Sequence, residues 1–286
     1  MNIIDVTKEI LTVYESNQFN IEKWKSYMDS ALPQAKQICL QDMEDSISAA
    51  GLSWEKDYLP VLNAVPHNII RLDEITQSFY KITENLTEKI YHRFGKSLDV
   101  DIVLYLGLCN GAGWVTAING KNTVLLGIEK IIELDWGGMD DMNGLILHEL
   151  GHVYQAQYGV LHREFEASRD QFLWQLFTEG IAMVFEQEMV GDPEYYHQDH
   201  DDWKNWCSKN IRLIRQSFYD DLDTMTKDNQ RYFGDWVDFN GYGDVGYYLG
   251  ARFVRFLLDY DCFDNLISYD IDSIRKGFGM FLEVKL

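Results

Sequence analysis

The sequence predicts an α+β chain that is mostly helical. Three observations carry this. Apolar residues recur every three or four positions through the first third. An Asn-Gly pair sits between two β-prone runs. A long apolar run near the middle, too polar at three positions to be only core, has the length of a buried helix. The organisation expected is an N-terminal helical region over 1–96, a subdomain with a small sheet and two buried helices over 97–190, and a C-terminal helical subdomain over 191–286 that completes a cleft.

In the first region, Ile3, Ile4, Val6, Ile10, Leu11 and Tyr14 suit a first amphipathic helix. Further helices are expected around 20–49, 53–63 and 68–94, the last with Leu72, Ile75, Phe79, Ile82 and Leu86 on one stripe. His67 and His92 fit cap or surface positions. From Ser97 the texture changes. Asp101–Gly107 is strand-like, and Gly113–Ile118 and Thr123–Gly127 flank Asn119-Gly120, a strong hairpin signal. After the turn Asp135–Asp141, whose last two acids can cap a helix, comes a helix to Tyr158, stopped by Gly159. The next helix is expected from Phe165 to Met189, and Gly180 and Ala182 are small enough to let another helix approach. Tyr196–Asp202 is rich in His and Asp and fits a solvated turn ahead of a helix from Trp203. Asp244 fits an N-cap, followed by a helix burying Leu249, Phe253, Phe256, Leu257 and Tyr260, with one or two more helices over 262–286.

The middle helix carries His148-Glu149-Leu150-Gly151-His152, an HExxH motif. Positions four apart share a helix face, so both imidazoles can meet at one point with Glu149 beside them. Leu145, Ile146, Leu147, Leu150 and Val153 surround the motif, and buried polar groups need partners. Two His at this spacing with an adjacent carboxylate point to a zinc site and a base for its water. A catalytic zinc takes three protein ligands. Gln155 and Tyr158 stand where a metzincin has Gly and His. Glu164, Glu166 and Asp170 lie in a polar stretch, whereas Glu179 falls inside an apolar stripe with Leu176 and Met183, which favours it as third ligand.

With Thr178-Glu179-Gly180-Ile181-Ala182 following the HExxH helix, and Tyr247-Tyr248-Leu249-Gly250 opening an apolar helix, the chain resembles the gluzincins, the thermolysin-like metallopeptidases of the peptidase MA clan. The likeness covers about residues 100–260 and is nearest to the clan's uncharacterised predicted zinc-dependent proteases. It implies a zincin-like core. It also implies one Zn2+ per chain on His148, His152 and Glu179, a metal-bound water deprotonated by the general base Glu149, and transition-state stabilisation by Tyr247. The partner implied is a peptide or protein substrate. The gap from His152 to Glu179 is longer than in the best-known branches. Gly111-Ala112-Gly113-Trp114 lacks the acid of the clan's Gly-x-Met-Glu-Asn strand, so aminopeptidase activity does not carry over. A zinc-binding scaffold without catalysis and a metal-free helical interaction protein are the alternatives; the first has no use for Glu149.

Composition narrows the partners. With 25 Lys+Arg against 46 Asp+Glu, the formal charge of −21 repels nucleic acid and anionic membranes, and no apolar run is long enough to span a bilayer. The first residues show no basic start followed by an apolar core, and the four Cys (Cys39, Cys109, Cys207, Cys262) form no CxxC pair. A cytoplasmic protein with buried or half-buried free thiols is expected.

Overall fold

The chain begins with a strand where the periodicity suggested a helix. In the computed structural model, which describes residues 1–234 and 236–285, β1 (Asn2–Asp5) pairs in parallel with β4 (Val100–Tyr105), with Ile3 opposite Ile102. Ile3, Ile4 and Val6 belong to a β-prone run, and pairing with a buried strand outweighs the local spacing. A 3-10 turn, Thr7–Val13, buries Ile10 and Val13. A small hairpin follows, of β2 (Tyr14–Glu15) and β3 (Gln18–Phe19). The first amphipathic helix is therefore replaced by three short elements.

The stretch 20–49 divides at Leu32 into α1 (Ile21–Ala31) and α2 (Pro33–Ala50), and 53–63 is a π-helical segment, Trp54–Tyr58, that runs into α3 (Leu59–Ala64). The stretch 68–94 divides into α4 (Ile69–Thr83) and α5 (Leu86–Phe94), because Glu84 is extended and Asn85 adopts φ 58°. Strands β5 (Gly113–Ile118) and β6 (Lys121–Gly127) form the foreseen hairpin. Asn119 and Gly120 both have positive φ, as a type I′ turn requires. The sheet is mixed, in the order β1-β4-β6-β5, with β6 parallel to β4 and β5 antiparallel at the edge. Central β4 and β6 are buried on both sides from Ile102 to Tyr105 and from Val124 to Leu126, which explains their unbroken apolar runs.

After β6 comes the short helix α6 (Ile128–Glu133). Its Glu129 is fully buried and accepts hydrogen bonds from the backbone N–H groups of Gly107 (2.8 Å) and Cys109 (3.0 Å) in the turn that leaves β4. Burial pushes this carboxyl up to about 7, while the backbone donors and Lys130 pull the other way. Helix α7 (Met139–Tyr158) then carries HExxH and ends at Gly159 as expected. Asp140 and Asp141 lie inside its first turn, where they complement the helix dipole, rather than at the cap.

The chain divides into two compact units, residues 1–149 and 150–286, and the division falls inside α7. The second unit contains α8 (Ser168–Val190), α9 (Trp203–Asp221), α10 (Val245–Leu257), α11 (Phe263–Leu266) and α12 (Ile271–Leu282). Leu286, the end of the expected tail, lies outside the described residues. Asp244 stands at the N-cap of α10, but its carboxylate accepts the Gly234 N–H instead of capping the helix. Phe177, Phe253, Phe278 and Phe281 pack ring against ring among α8, α10 and α12. Phe256 is only half-buried, and Tyr260, beyond the end of α10 at Leu257, is exposed. Cys262 is also exposed, against expectation, whereas Cys39 and Cys207 are buried; none of the four cysteines is in a disulfide. Among the described residues no helix is long and apolar enough to cross a membrane.

Two close approaches fix α8. A Cβ at Gly151 would lie 2.7 Å from the Cα of Ala182, and a Cβ at Gly250 would lie 2.6 Å from the Leu176 carbonyl oxygen and 3.0 Å from the Gly180 nitrogen. Backbone thus meets backbone on both sides of α8, and neither contact has a flexible side chain that could yield.

Two outcomes follow. Gly250→Ala should destabilise the fold by about 1–3 kcal/mol in denaturant unfolding, despite the higher helix propensity of Ala. A neutral result would mean that α8 and α10 can separate freely. For Glu129, the value of about 7 lies above the ordinary 4.5, so the native state holds the proton more tightly than the unfolded chain. Its contribution to stability is complete below 4.5 and is lost as pH rises through 7. A Tm-against-pH profile should show that decline in the wild type and a flatter line in Glu129→Gln. Equal slopes would assign the decline to other groups.

Candidate metal centre

Helix α7 brings the motif together. His148 is 4% exposed and Glu149 6% exposed, set among buried Leu145, Ile146, Leu147, Leu150 and Val153. The helix is continuous across residue 150, so His148 and His152 share one face, one turn apart. In the second unit, Gly151 lets α8 come close enough for Glu179 to reach His152. The Nε2 of His152 and the Oε2 of Glu179 are 3.2 Å apart. One ligand atom from each of His148, His152 and Glu179 lies within 4.8 Å of the other two.

The donor set suits a borderline divalent cation. Two imidazoles and one carboxylate, each about 2.0–2.2 Å from a tetrahedral zinc, would stand roughly 3.3 Å from one another. The observed His152–Glu179 separation falls at that value. The same contact also suits a simple ion pair when His152 is protonated. What distinguishes this cluster is the second imidazole, which an ion pair does not require.

The other candidate acids are accounted for elsewhere. Glu164 and Glu166 are exposed, and Asp170 is engaged by the Arg275 guanidinium at 2.7 and 2.5 Å. His67, His92 and His162 are exposed. Of the tyrosines near the start of α10, Tyr248 is buried and stacked on Tyr196, and Tyr242 stacks on Trp206 with ring centroids 4.1 Å apart. Tyr247 is half-buried, edge-to-face with Phe233, and lies one turn before Gly250, the residue that meets α8 beside Gly180. Glu179 is the neighbour of Gly180, so Tyr247 and Glu179 flank the same helix crossing.

Three features went unread in the sequence. Gly113, the first residue of β5, stands directly against Glu149: a Cβ there would come within 2.9 Å of the Glu149 Cγ and Oε1 and of Leu145 Cδ1. The segment Tyr196–Gln198 is buried rather than solvated. The Nδ1 of His197 lies 3.0 Å from both carboxylate oxygens of Glu186, which is fully buried on α8. Glu129 is the third. Both acids could have been found by the criterion that singled out Glu179, since each stands inside an apolar run: Ile128-Glu129 before Ile131-Ile132, and Val184-Phe185-Glu186.

The fold and site therefore define a mostly helical α+β chain with a small mixed sheet and a three-residue cluster close enough to hold a metal ion. No protein-family model, curated protein or solved structure matches it.

If the cluster holds a metal, losing one of its residues should be felt in metal binding before anything else. Glu179→Ala should weaken zinc binding by at least about 10–100-fold in chelator competition, the loss usual for groups that merely support a ligand. Glu166→Gln, on an exposed acid, should bind as the wild type does. Equal affinities in Glu179→Ala and wild type would remove Glu179 from the site.

Proposed function

We propose that the chain is a zinc-dependent peptide-bond hydrolase of gluzincin type. The observation that carries this reading is the convergence of His148, His152 and Glu179 beside a buried carboxylate, Glu149, that belongs to the same helix turn. A structural metal site has no need of that carboxylate. The α+β architecture, with the edge strand of the sheet against the HExxH helix at Gly113, agrees with a zincin-like core.

His148, His152 and Glu179 would hold the metal, which when bound would polarise water and the scissile carbonyl. Glu149 takes the proton of the attacking water and returns it to the leaving amine. Tyr247 donates its hydroxyl to the oxygen on which negative charge develops. Strand β5, paired only with β6 among the described residues, offers its outer edge to an extended peptide. Pairing there would lay the substrate along the strand that touches Glu149. The charge of −21 favours basic peptides in the approach to the site.

Elemental mass spectrometry of the chain purified without added zinc should find about one zinc per chain. A peptide-library digest should then show cleavage by the wild type. Glu149→Gln should keep the zinc and lose cleavage, and Tyr247→Phe should lower kcat by about 10- to 1000-fold at unchanged metal content. A chain that binds no zinc even when it is offered at neutral pH would end the peptidase reading. Zinc without cleavage of any peptide would leave a scaffold.

A further inference from the structure

Glu149 touches β5 at Gly113, so the place of that strand sets the surroundings of the base. The turn between β4 and β5 is pinned at several points. Glu129 receives the N–H groups of Gly107 and Cys109, and Gly107 is bare where a Cβ would lie 2.5 Å from the Glu129 Oε1. Asn110 accepts from the Leu108 N–H and donates to the Cys39 carbonyl (2.9 Å) and the Asp42 carboxylate (2.8 Å). Gly127, at the end of β6, donates its N–H to the Ala112 carbonyl at 3.0 Å, and a Cβ on it would come 2.6 Å from the Gly111 oxygen. Cys109 is held at φ 56° and Gly111 at φ 142° within this turn. The contacts run without a break from Glu129 through 107–112 to Gly113 and Glu149.

We propose that Glu129 is a positioning residue for the base: its two hydrogen bonds hold the 107–112 turn, and the turn seats Gly113 of β5 against the Glu149 side chain. The proposal rests on the peptidase reading and adds a control of the same site. A buried carboxylate is a costly way to tie a loop, since a neutral acceptor would do so without desolvating a charge. The carboxylate does what a neutral amide cannot, which is to accept from two N–H groups with two equivalent oxygens.

Protonation removes that equivalence. The oxygen that carries the proton becomes a donor, and one of the two N–H groups loses its acceptor. The titratable groups facing Glu129 are Tyr14 from β2, Tyr27 from α1, Cys39 from α2, Tyr105 from β4, Cys109 from the turn and Lys130 from its own helix. Burial holds the three tyrosines above their ordinary value and pushes the Cys39 thiol up to about 12, so these four stay neutral where Glu129 titrates. The Lys130 ammonium pairs with Glu133.

The test is to follow backbone amide shifts by NMR in the full chain as pH is taken through 7. Gly107, Cys109 and Gly113 should move with one midpoint near 7. The Gly113 titration should persist in Glu149→Gln, which removes the base as its source, and all three should be flat in Glu129→Gln. With a cleavable peptide, Glu129→Gln should lower kcat by about 10–100-fold at unchanged zinc content, the scale expected for a misplaced catalytic group. A flat Gly113 in the wild type, or a Gly113 titration lost in Glu149→Gln, would overturn the coupling. Both of those measurements stand even if Glu129→Gln fails to fold. The amide shifts need neither metal nor substrate, so absence of zinc or of cleavage would sink the peptidase reading separately.

Discussion

The site depends on helices that touch through bare backbone. Helix α8 meets α7 at Gly151 and Ala182, and meets α10 at Gly180 and Gly250. Helices separated by ordinary side chains stand about 8–10 Å apart, a gap set by how those side chains fill it. Where glycine removes them, the spacing is set by the backbones themselves and cannot be relaxed by a change of rotamer. Glu179 lies next to both crossings, one residue before Gly180 and three before Ala182. Its carboxylate therefore starts from a fixed place, and a side chain of ordinary length reaches the His152 Nε2 at 3.2 Å. The glycine in His148-Glu149-Leu150-Gly151-His152 belongs to the geometry of the site as much as the histidines do.

Three acids sit in apolar stripes, and each meets the cost of burial differently. Glu186 is fully buried and faces the His197 imidazole, which supplies a cation or a donor in the same dry surroundings. Glu129 is equally buried, and burial outweighs its backbone donors and Lys130, so its proton is retained up to about 7. The side chains of Glu179 and His152 keep 17% and 13% of their exposure. That residual access separates the site from the other two. A metal ion, its water and a substrate need a path in, which a sealed Glu–His pair does not provide.

The features legible in the sequence are those whose cause is local. The Asn119-Gly120 turn, the helical spacing of the HExxH run and the stop at Gly159 all follow from residues within a few positions of one another. The three metal candidates were also within reach, because the motif supplies two of them and Glu179 stands out against Leu176 and Met183. The features that were missed have distant causes. Strand β1 takes its form from β4, with Asn2 opposite Asp101, and its own four residues carry too little pattern to announce it. The burial of His197 depends on Glu186 of α8, and polar composition alone made that segment look solvated. Asn85 broke a helix that periodicity would have continued, because a left-handed residue costs Asn little and leaves no mark on the apolar stripe.

Gly113 stands where the sheet meets the HExxH helix. In the sequence it belongs to Gly111-Ala112-Gly113-Trp114, a stretch that lacks the acid with which aminopeptidases hold a substrate's amino terminus. In three dimensions its own lack of a Cβ has a use, because only a bare Cα at residue 113 lets β5 pass within contact distance of Glu149. On the peptidase reading, the chain keeps one buried carboxylate for proton transfer and leaves recognition to the open edge of β5, whose N–H and C=O groups bind any extended peptide without regard to its end. The position of that edge is then the property to be controlled. On that reading the control lies at the turn held by Glu129, which leads directly into Gly113.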